Sequence, residues 1–583
     1  MPRADAEGAL IASAADGRAR SEAKPSEDRT RSATGGDSSP LLEPGVLAAL
    51  ARPAAYPGDA SAREITWVQT HLSHVFLSGA RVYKFRKPVD LGFVRFTTRA
   101  ERNADCLREV ALNRRLAPDV YLGVAPLETD GGRVRVGAPQ EALAEGAPEH
   151  CVVMRRLPDG RDALSLLQRG ALGPAQLARV ARRIARFHAA CGLGVPAPYG
   201  ESEWIDHCAR PALANFATLR DFARDGEDRR RLERLEAATR DFPRVHAARF
   251  ESRRRAGCAV DGHGDLHLQH VWFERDDAEP IAIDCLEFDA ELRRIDVASE
   301  VAFLAMDLRY RGAAGLAELF LRVYASERDD FDLYRVVDWF TSYRAAVRAK
   351  VAAIAAGESE IEPAQRRRAE ESASRHLALA LECLEAPRAP ALVLVGGAVG
   401  TGKSTLAGVL ADALGAAVVS SDRVRKHRLG LAAGGRADAS AYTADAKAAV
   451  YAALLERAEA VVASGRVAVL DATFGSRRER EAARAHAAAW KIPVFFVEAC
   501  CAPEIARARL ERRRREGGDP SDAGPELQAA SLAGFEPLDE WPASQRAQVH
   551  TDAPAWQDAA SDVARRVRDA AGRQPSGSPP ATT

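Results

Sequence analysis

The sequence runs to 583 residues, with 82 Lys and Arg balanced by 82 Asp and Glu, 46% hydrophobic and 28% charged residues. That length calls for several domains or two large multilobed ones, and zero net charge offers no field to hold a nucleic-acid backbone or an anionic bilayer, so both are disfavoured as bulk partners. Nine scattered cysteines without a CxxC pair, no signal-peptide pattern and no apolar run of spanning length lead us to expect a cytoplasmic protein that does not engage a membrane.

Residues 1–44 are rich in Ala, Ser, Gly, Asp and Arg without apolar periodicity and are expected to be a disordered tail, as are residues 573–583. The Pro-containing step 386–390 reads as a linker between two bodies, 45–385 and 391–572, with no internal repeat. In the first body, residues 65–87 alternate apolar and polar positions around Ser78-Gly79 and predict a β-meander. A helix is expected over 99–116, and from about 173 to 380 the pattern is mostly helical, with Leu177, Val180, Ala181, Ile184 and Phe187 on one stripe. A small sheet-rich lobe thus precedes a larger helical lobe. The second body alternates strand and helix from Leu392 to a short last strand near Gln548–Thr551, the pattern of an α/β domain with a parallel sheet.

Only eight of the 82 basic residues are lysine, so a lysine inside a motif draws notice. Lys84 lies on the strand Val82–Phe85 and Glu109 on the following helix, the arrangement in which a lysine is held on nucleotide phosphates by a helix carboxylate. The alternatives are a surface lysine and a solvated glutamate. Further along, His263-Gly264-Asp265-Leu266-His267 is followed 19 residues past Asp265 by Asp284, which ends the apolar strand Ile281-Ala282-Ile283. Two carboxylates so placed suit phosphoryl transfer, one accepting a hydroxyl proton and the other holding Mg²⁺. His188 is expected to be a packed histidine. The run Tyr343-Arg344…Arg348…Lys350 reads as a solvated basic face, with an anion clamp by the i,i+4 arginines as the alternative.

In the second body, Gly397-Ala398-Val399-Gly400-Thr401-Gly402-Lys403-Ser404 fits G-x-x-x-x-G-K-[ST], with the apolar strand Leu392–Val395 running in and an amphipathic helix running out. Such a loop wraps backbone N–H groups around phosphates, so Gly397, Gly400, Thr401, Gly402, Lys403, Ser404 and Thr405 are the expected ATP contacts, with Lys403 on the β/γ phosphates and Ser404 on Mg²⁺. Asp422, with Arg425 three residues on, follows the second strand. There an Asp can accept a hydroxyl proton and an Arg can bind a substrate anion. Asp471 ends the strand Val467–Leu470 and suits a Walker-B-type metal carboxylate. Helix capping is the structural alternative for both aspartates. The arginines between Arg507 and Arg515 read either as a mobile lid or as a solvated basic face.

Taken together, GGAVGTGKST, SDRVRK, LDATF and RARLERRR…GGDPSDA resemble the AAA-type ATP-binding proteins among the small P-loop kinases, relatives of polynucleotide and zeta-toxin kinases, over essentially all of 391–572. The resemblance implies Asp422 as the substrate-hydroxyl base, Arg425 as a substrate contact, and Arg509 and Arg513 as substrate-side lid residues. The stretches THLSHVFLSGARVYKFRKPVDLGF, NRRLAPDVYLGV, HGDLHLQHV, AIDCLEFD and RRIDVASEVAFLAMDL resemble the aminoglycoside phosphotransferase-like branch of the protein-kinase-like fold over about 45–385. The pair is similar to the bifunctional aminoglycoside phosphotransferase/ATP-binding protein family. This implies a bilobal protein-kinase-like α+β half and a P-loop NTPase half, with Asp265 as base, Asp284 as metal ligand and Asp296 bracing the catalytic loop.

Two departures stand out: the family's Asn metal ligand is His270 here, and no Gly-rich loop precedes Lys84. His270 is taken as a metal ligand, although imidazole suits Mg²⁺ poorly. The resulting expectation is an ATP- and Mg²⁺-dependent phosphotransferase with two kinase-type domains acting on small-molecule hydroxyls. The rivals are a nucleotide-gated regulatory or toxin-like protein with a non-catalytic N-terminal fold, and a nucleic-acid-end kinase.

Overall fold

The computed structural model describes residues 42–90, 94–130, 132–223, 226–358, 361–386, 388–516 and 520–572. The expected disordered tails therefore fall outside the described residues, apart from 42–44; Pro44 already begins the helix Pro44–Leu50. Pro387 of the linker and residues 517–519 of the arginine-rich lid stretch also fall outside them.

Six strands, Thr66–Gln69, Ser73–Leu77, Arg81–Arg86, Tyr121–Asp130, Arg133–Val136 and His150–Arg155, form an antiparallel sheet in the order first, second, third, sixth, fourth, fifth. The meander expected over 65–87 supplies the first three. Strand side chains alternate between faces, so Phe76, Tyr83, Phe85, Cys151 and Val153 join one core while Val152 and Val124 join another with Cys106 and Val110 of the helix Arg99–Asn113. Lys84 lies between Tyr83 and Phe85 and opposite Val152, which turns it toward that helix. A capping box, Thr98 with Glu101, fixes where the helix starts, and Glu109 sits three turns later, fully buried.

The stripe Leu177, Val180, Ala181, Ile184 and Phe187 is buried on the helix Pro174–Ala190. Among the helices that follow, Val297–Tyr310 is capped by Asp296 and buried along almost its whole length, and Val337–Gly357 contributes Ala345, Ala349 and Ala353 to a core with Phe303 and Leu377.

Internal contacts divide the chain into two compact units, one running through Arg179 and continuing with Arg186–Gly312 and Trp339–Leu384, the other Val180–Ala185, Ala313–Asp338 and Glu385 onward. The break near residue 385 is thus accompanied by two that the sequence division 45–385 does not contain, Val180–Ala185 and Ala313–Asp338, the second because the helix Ala314–Arg328 and the turn after it are tied into the second unit. Arg466 pairs with Glu318 at 2.9 Å and Asp338 at 2.7 Å, Arg423 with Glu327 at 2.8 Å, and Arg457 donates to Asp329 at 2.7 Å.

In the second unit five parallel strands lie in the order Ala417–Ser420, Ala468–Asp471, Leu392–Gly396, Val494–Cys500, Arg546–His550. Leu392–Gly396 is buried at every position, as a central parallel strand covered on both faces requires. Chain order reverses around this strand, so ligands are expected at its carboxyl end, where the loop 397–402 leads into the helix Lys403–Leu414. Among the described residues no helix is long and apolar enough to cross a membrane.

Candidate active sites

In the first unit the sheet, the helix Arg99–Asn113 and the 263–284 segment bring five of the sequence-selected residues together. Lys84 Nζ donates to Glu109 Oε1 at 3.0 Å and to Asp284 Oδ1 at 3.1 Å. Burial works against the lysine's charge, but Asp284 and Glu109 outweigh it and raise its pKa. The same lysine, with His270, draws the Asp284 carboxyl well below its usual range against the pull of burial. Arg86 reinforces the cluster from one strand position further along, donating to Asp105 at 2.7 Å, to Glu109 Oε2 at 2.6 Å and to Glu287. Glu109 therefore divides its two oxygens between a lysine and an arginine. Asp284 adopts a positive φ of 61°, a strained conformation that side-chain contacts must hold.

Asp265 sits at the turn preceding that segment. Gly264 has φ +83°, and a Cβ there would come 3.1 Å from Leu286 Cβ, so the tight turn requires glycine. The loop is laced to Asp284's strand: His263 Nε2 donates to Ile283 O at 2.9 Å and Ile283 N donates to His270 O at 3.0 Å. Burial raises Asp265 to about 6, with His270, Arg348 and Arg344 pulling the other way. Its Oδ1 and His267 Nε2 are buried with no hydrogen-bond partner.

The residue implied to brace the loop, Asp296, caps the helix Val297–Tyr310 and pairs with Arg253 at 2.8 Å. Glu300 carries the loop backbone, accepting from His263 N and from Gly264 N, the latter at 3.1 Å. Burial disfavours that carboxylate's charge, yet a hydrogen bond and the charge of His188 hold it down at about 2. His188 is packed, as expected, 3.8 Å from Glu300. Sequence reading passed over Glu300 and Arg86. Their signals were a lone carboxylate inside the apolar run VASEVAFLAM and a second cation two residues after Lys84 in YKFRK.

The 344–350 run corrects the sequence reading. Arg344, Arg348 and Lys350 are 4%, 8% and 4% exposed, so they form no solvated face.

His270 Nδ1 lies 2.9 Å from the Asp265 carbonyl, which can only accept, so Nδ1 donates there, and in a neutral ring Nε2 keeps the lone pair. That lone pair faces Asp284 Oδ2 at 3.5 Å. A protonated ring pairs with Asp284 directly, whereas a neutral ring leaves two acceptors facing each other, the arrangement in which His270 and Asp284 suit a metal ion. Asp265, His267 and His270 could also converge on one, their ligand atoms lying within 4.8 Å of one another.

In the second unit, Gly397 has φ +134°, and a Cβ there would stand 2.4 Å from Ala499 O, so only glycine lets the loop close over the sheet edge. Lys403 Nζ and Thr401 Oγ1 donate to Ala398 O at 2.9 and 2.8 Å, and Val399 N donates to Ser531 Oγ at 3.1 Å. Strand register puts Asp471 beside Val395 on one side and Ser420 on the other, at the carboxyl ends of three strands. Ser404 Oγ donates to Asp471 Oδ2 at 2.7 Å. Burial lowers the Lys403 pKa and raises that of Asp471. The glycine cradle and the serine–carboxylate pair fit a nucleotide phosphate chain and its metal ion.

Asp422 opens the helix Ser421–Arg428 and accepts from Arg425 at 2.6 Å, while the Arg425 guanidinium lies 4.6 Å from the Tyr442 ring. Among the arginines of the helix Pro503–Glu516, Arg507 and Arg512 are exposed and pair along the helix with Glu511 and Glu516. Arg509 departs from the lid role: it donates to Thr551 Oγ1 at 2.8 Å and Thr551 O at 3.0 Å, and Thr551 Oγ1 donates to Thr401 O at 2.7 Å. It braces the phosphate loop through the last strand. Arg513 donates to Ala523 O at 2.9 Å, and its charge is felt at Lys403. Asp522, unnoticed in the sequence, gathers Lys426, Ala437 N and Tyr442. Gly400, Gly402 and Thr405 complete the loop and the start of its helix.

A model of the AAA domain family matches residues 392–538. Over 470 residues the chain is 34% identical to the uncharacterized protein Rv2004c of Mycobacterium tuberculosis, covering 80% of this chain and 89% of the relative. The figures are the same for the uncharacterized protein Mb2027c of Mycobacterium bovis. Among solved structures, a choline/ethanolamine kinase family protein from Mesorhizobium loti aligns over 58% of this chain and 99% of its own, at 13% identity and a TM-score of 0.31. A putative kinase from Chloroflexus aurantiacus aligns over 31% and 98%, at 20% identity and a TM-score of 0.27.

Proposed function

The chain belongs to the family of these mycobacterial proteins, and on that premise we propose that it is an ATP-dependent phosphotransferase with two kinase-type sites, each passing the γ-phosphoryl group to a small-molecule hydroxyl. The observation that carries the reading is the assembly at the carboxyl ends of the parallel strands, where Lys403, Ser404 and Asp471 stand beside Asp422, a carboxylate held at 2.6 Å by Arg425. In this reading Lys403 and the loop amides hold the β/γ phosphates, and Asp422 takes the proton from the attacking hydroxyl. Mg²⁺ held by Ser404 and Asp471 supplies charge neutralisation on the phosphate oxygens when bound. Arg425 orients Asp422 and the acceptor, and Arg513 adds positive charge near the transferring group.

The first unit repeats the logic with different parts. Lys84, aimed by Glu109, holds nucleotide phosphates, Asp265 is the base, and Asp284 with His270 holds the metal ion. Mobile loops are not needed to assemble these residues, since Glu300 and the His263–Ile283 bond already fix the turn. A second reading, in which this unit binds ligand without transferring phosphate, is favoured by one observation: His270 stands where the family pattern has an asparagine. Neutral net charge and the pairing of Arg507 and Arg512 with glutamates speak against a nucleic-acid-end kinase.

The test is ATP consumption against a fractionated metabolite pool by wild type, Lys403→Ala and Asp265→Asn. Two different products, each lost in one variant, are the expected result. Loss in Lys403→Ala alone makes the first unit a binding module, and no consumption by wild type in any fraction sinks the phosphotransferase reading.

A further inference from the structure

The helix Val337–Gly357 places Arg344 and Arg348 one turn apart on one face, both inside the first unit. Arg344 Nε donates to Ser299 O at 3.2 Å, and the guanidinium lies 4.9 Å from the Phe303 ring and 5.0 Å from the Tyr343 ring. Its Nη2 is buried without a hydrogen-bond partner, and among the described residues Arg344 forms no ion pair. Phe303 also packs its ring 5.8 Å from His267, so the arginine and the HGDLH turn share one aromatic neighbour. Both arginines act electrostatically on Asp265.

A buried guanidinium demands an anion, and the carboxylates of the neighbouring helix are already engaged. Glu300 directs its oxygens at His263 N and Gly264 N. Asp307 accepts from Leu268 N at 3.1 Å and from Arg311 at 3.0 Å. Asp265 has one oxygen buried without a hydrogen-bond partner and makes no direct ion pair with Arg344 among the described residues. Among the described residues Arg344 thus feels the charges of Asp265 and Glu300 at a distance but makes no direct ion pair, and its Nη2 has no hydrogen-bond partner.

We propose that the acceptor used at the first unit's site carries an oxyanion, a carboxylate or a phosphate ester, held by Arg344 with Arg348 so that its hydroxyl lies at Asp265. The proposal rests on the phosphotransferase reading of that site. Guanidinium forks match such groups with two parallel hydrogen bonds. In the transfer the hydroxyl oxygen bonds to the γ-phosphorus, the bond to the ADP oxygen breaks, and the hydroxyl proton goes to Asp265.

A heat-stable metabolite extract is split on an anion-exchange resin at neutral pH, and transfer of label from γ-labelled ATP is followed with the full-length Lys403→Ala protein, which silences the other site, against the same protein carrying Asp265→Asn. The expected result is Asp265-dependent labelling in the retained fraction, with Arg344→Gln raising the half-saturating acceptor concentration at least tenfold while kcat changes by less than threefold. Arg348→Gln, measured alongside, gives the same signature should Arg344→Gln fold poorly. Phosphatase treatment of the retained fraction abolishes labelling for a phosphate ester and spares it for a carboxylate. Asp265-dependent labelling confined to the unretained fraction overturns the anion subsite and keeps the kinase. With no labelling in either fraction the kinase reading fails, and the anion subsite is then decided by titrating inorganic phosphate and citrate: thermal protection of the parent but not of the Arg344→Gln protein supports it, and equal or absent protection overturns it.

Discussion

Around the phosphate loop each named donor already has a protein partner: Lys403 and Thr401 share Ala398 O, Val399 N has Ser531, and Ser404 has Asp471. Around Asp265 the situation is reversed, since Asp265 Oδ1, His267 Nε2 and Arg344 Nη2 are buried with no hydrogen-bond partner. A ligand at the loop exchanges one set of hydrogen bonds for another. A ligand at Asp265 relieves polar groups whose unsatisfied burial costs about 1–3 kcal/mol each. The two proposed sites thus start from opposite positions, one with its polar groups already paired, the other with several buried and without hydrogen bonds.

The sharpest way to break that comparison is to remove each proposed base in turn. Asp422→Asn and Asp265→Asn are each expected to lower transfer at their own site about 10²–10⁴-fold, the usual worth of a positioned base, with nucleotide binding intact by equilibrium titration. Cross-effects, in which one substitution silences both products, would show that the sites are not separate. The rigidity claim is tested next by Glu300→Ala, which leaves His263 N and Gly264 N buried without an acceptor and is expected to cost the first unit about 3 kcal/mol. Urea denaturation followed separately in the two units, for instance by limited proteolysis, should show the loss confined to the first.

Why the loop was legible in the sequence and the Asp265 site only partly so follows from the same contrast. The loop is a contiguous motif in which glycine spacing, lysine and serine must occur together, and the flanking strand and helix announced themselves by apolar runs. Asp422 and Asp471 were placed because strand ends mark the ligand edge of a parallel sheet. The first site draws Lys84, Glu109, Asp265 and Asp284 from four separate places, so the sequence offered the members without the bonds between them. Glu300 and Arg86 left only faint signals, a lone carboxylate in an apolar run and a second cation beside Lys84, and neither says which backbone or carboxylate the side chain will meet. Arg344 and Arg348 misled for the opposite reason: charge on a helix usually means solvent, and here both are buried, Arg344 against the rings of Phe303 and Tyr343. The move of Ala313–Asp338 into the second unit was invisible for want of any break in helical texture.

Histidine placement gives a third test of the comparison. In the first unit His74, His188, His263, His267 and His376 are buried, whereas His427, His486 and His550 of the second are exposed. Burial lowers His376 to about 3, with the charge of Arg348 adding to the effect, while its ring stacks on Tyr310 at 3.6 Å. A histidine kept neutral when folded and free to protonate when unfolded stabilises fully above pH 6.5 and loses that contribution as pH falls toward 3. By pH 5 this amounts to about 2 kcal/mol for one such group, at 1.36 kcal/mol per unit. Between pH 6.5 and 5 the first unit should therefore lose stability faster than the second, and His376→Asn should flatten its slope by about one proton. An unchanged slope would mean that His376 accepts a proton without unfolding.

The smallest expected effect separates the two proposed metal positions. Ser404 and Asp471 offer oxygen alone, the preference of Mg²⁺, whereas the first unit pairs Asp284 oxygen with His270 nitrogen. Imidazole raises affinity for Mn²⁺ relative to Mg²⁺, so the first site should favour Mn²⁺ and the loop should not. Mn²⁺ binding followed by electron paramagnetic resonance on the Lys403→Ala protein should weaken about tenfold in His270→Asn, while Mg²⁺ comes to support Asp265-dependent transfer better than in the parent. The asparagine keeps an oxygen within reach of the same cation, so a fold defect would lower both metals together. Binding of Mn²⁺ that is indifferent to the substitution would place the metal ion on Asp265 and His267 instead, and the unpaired atoms of that pair would then be its ligands.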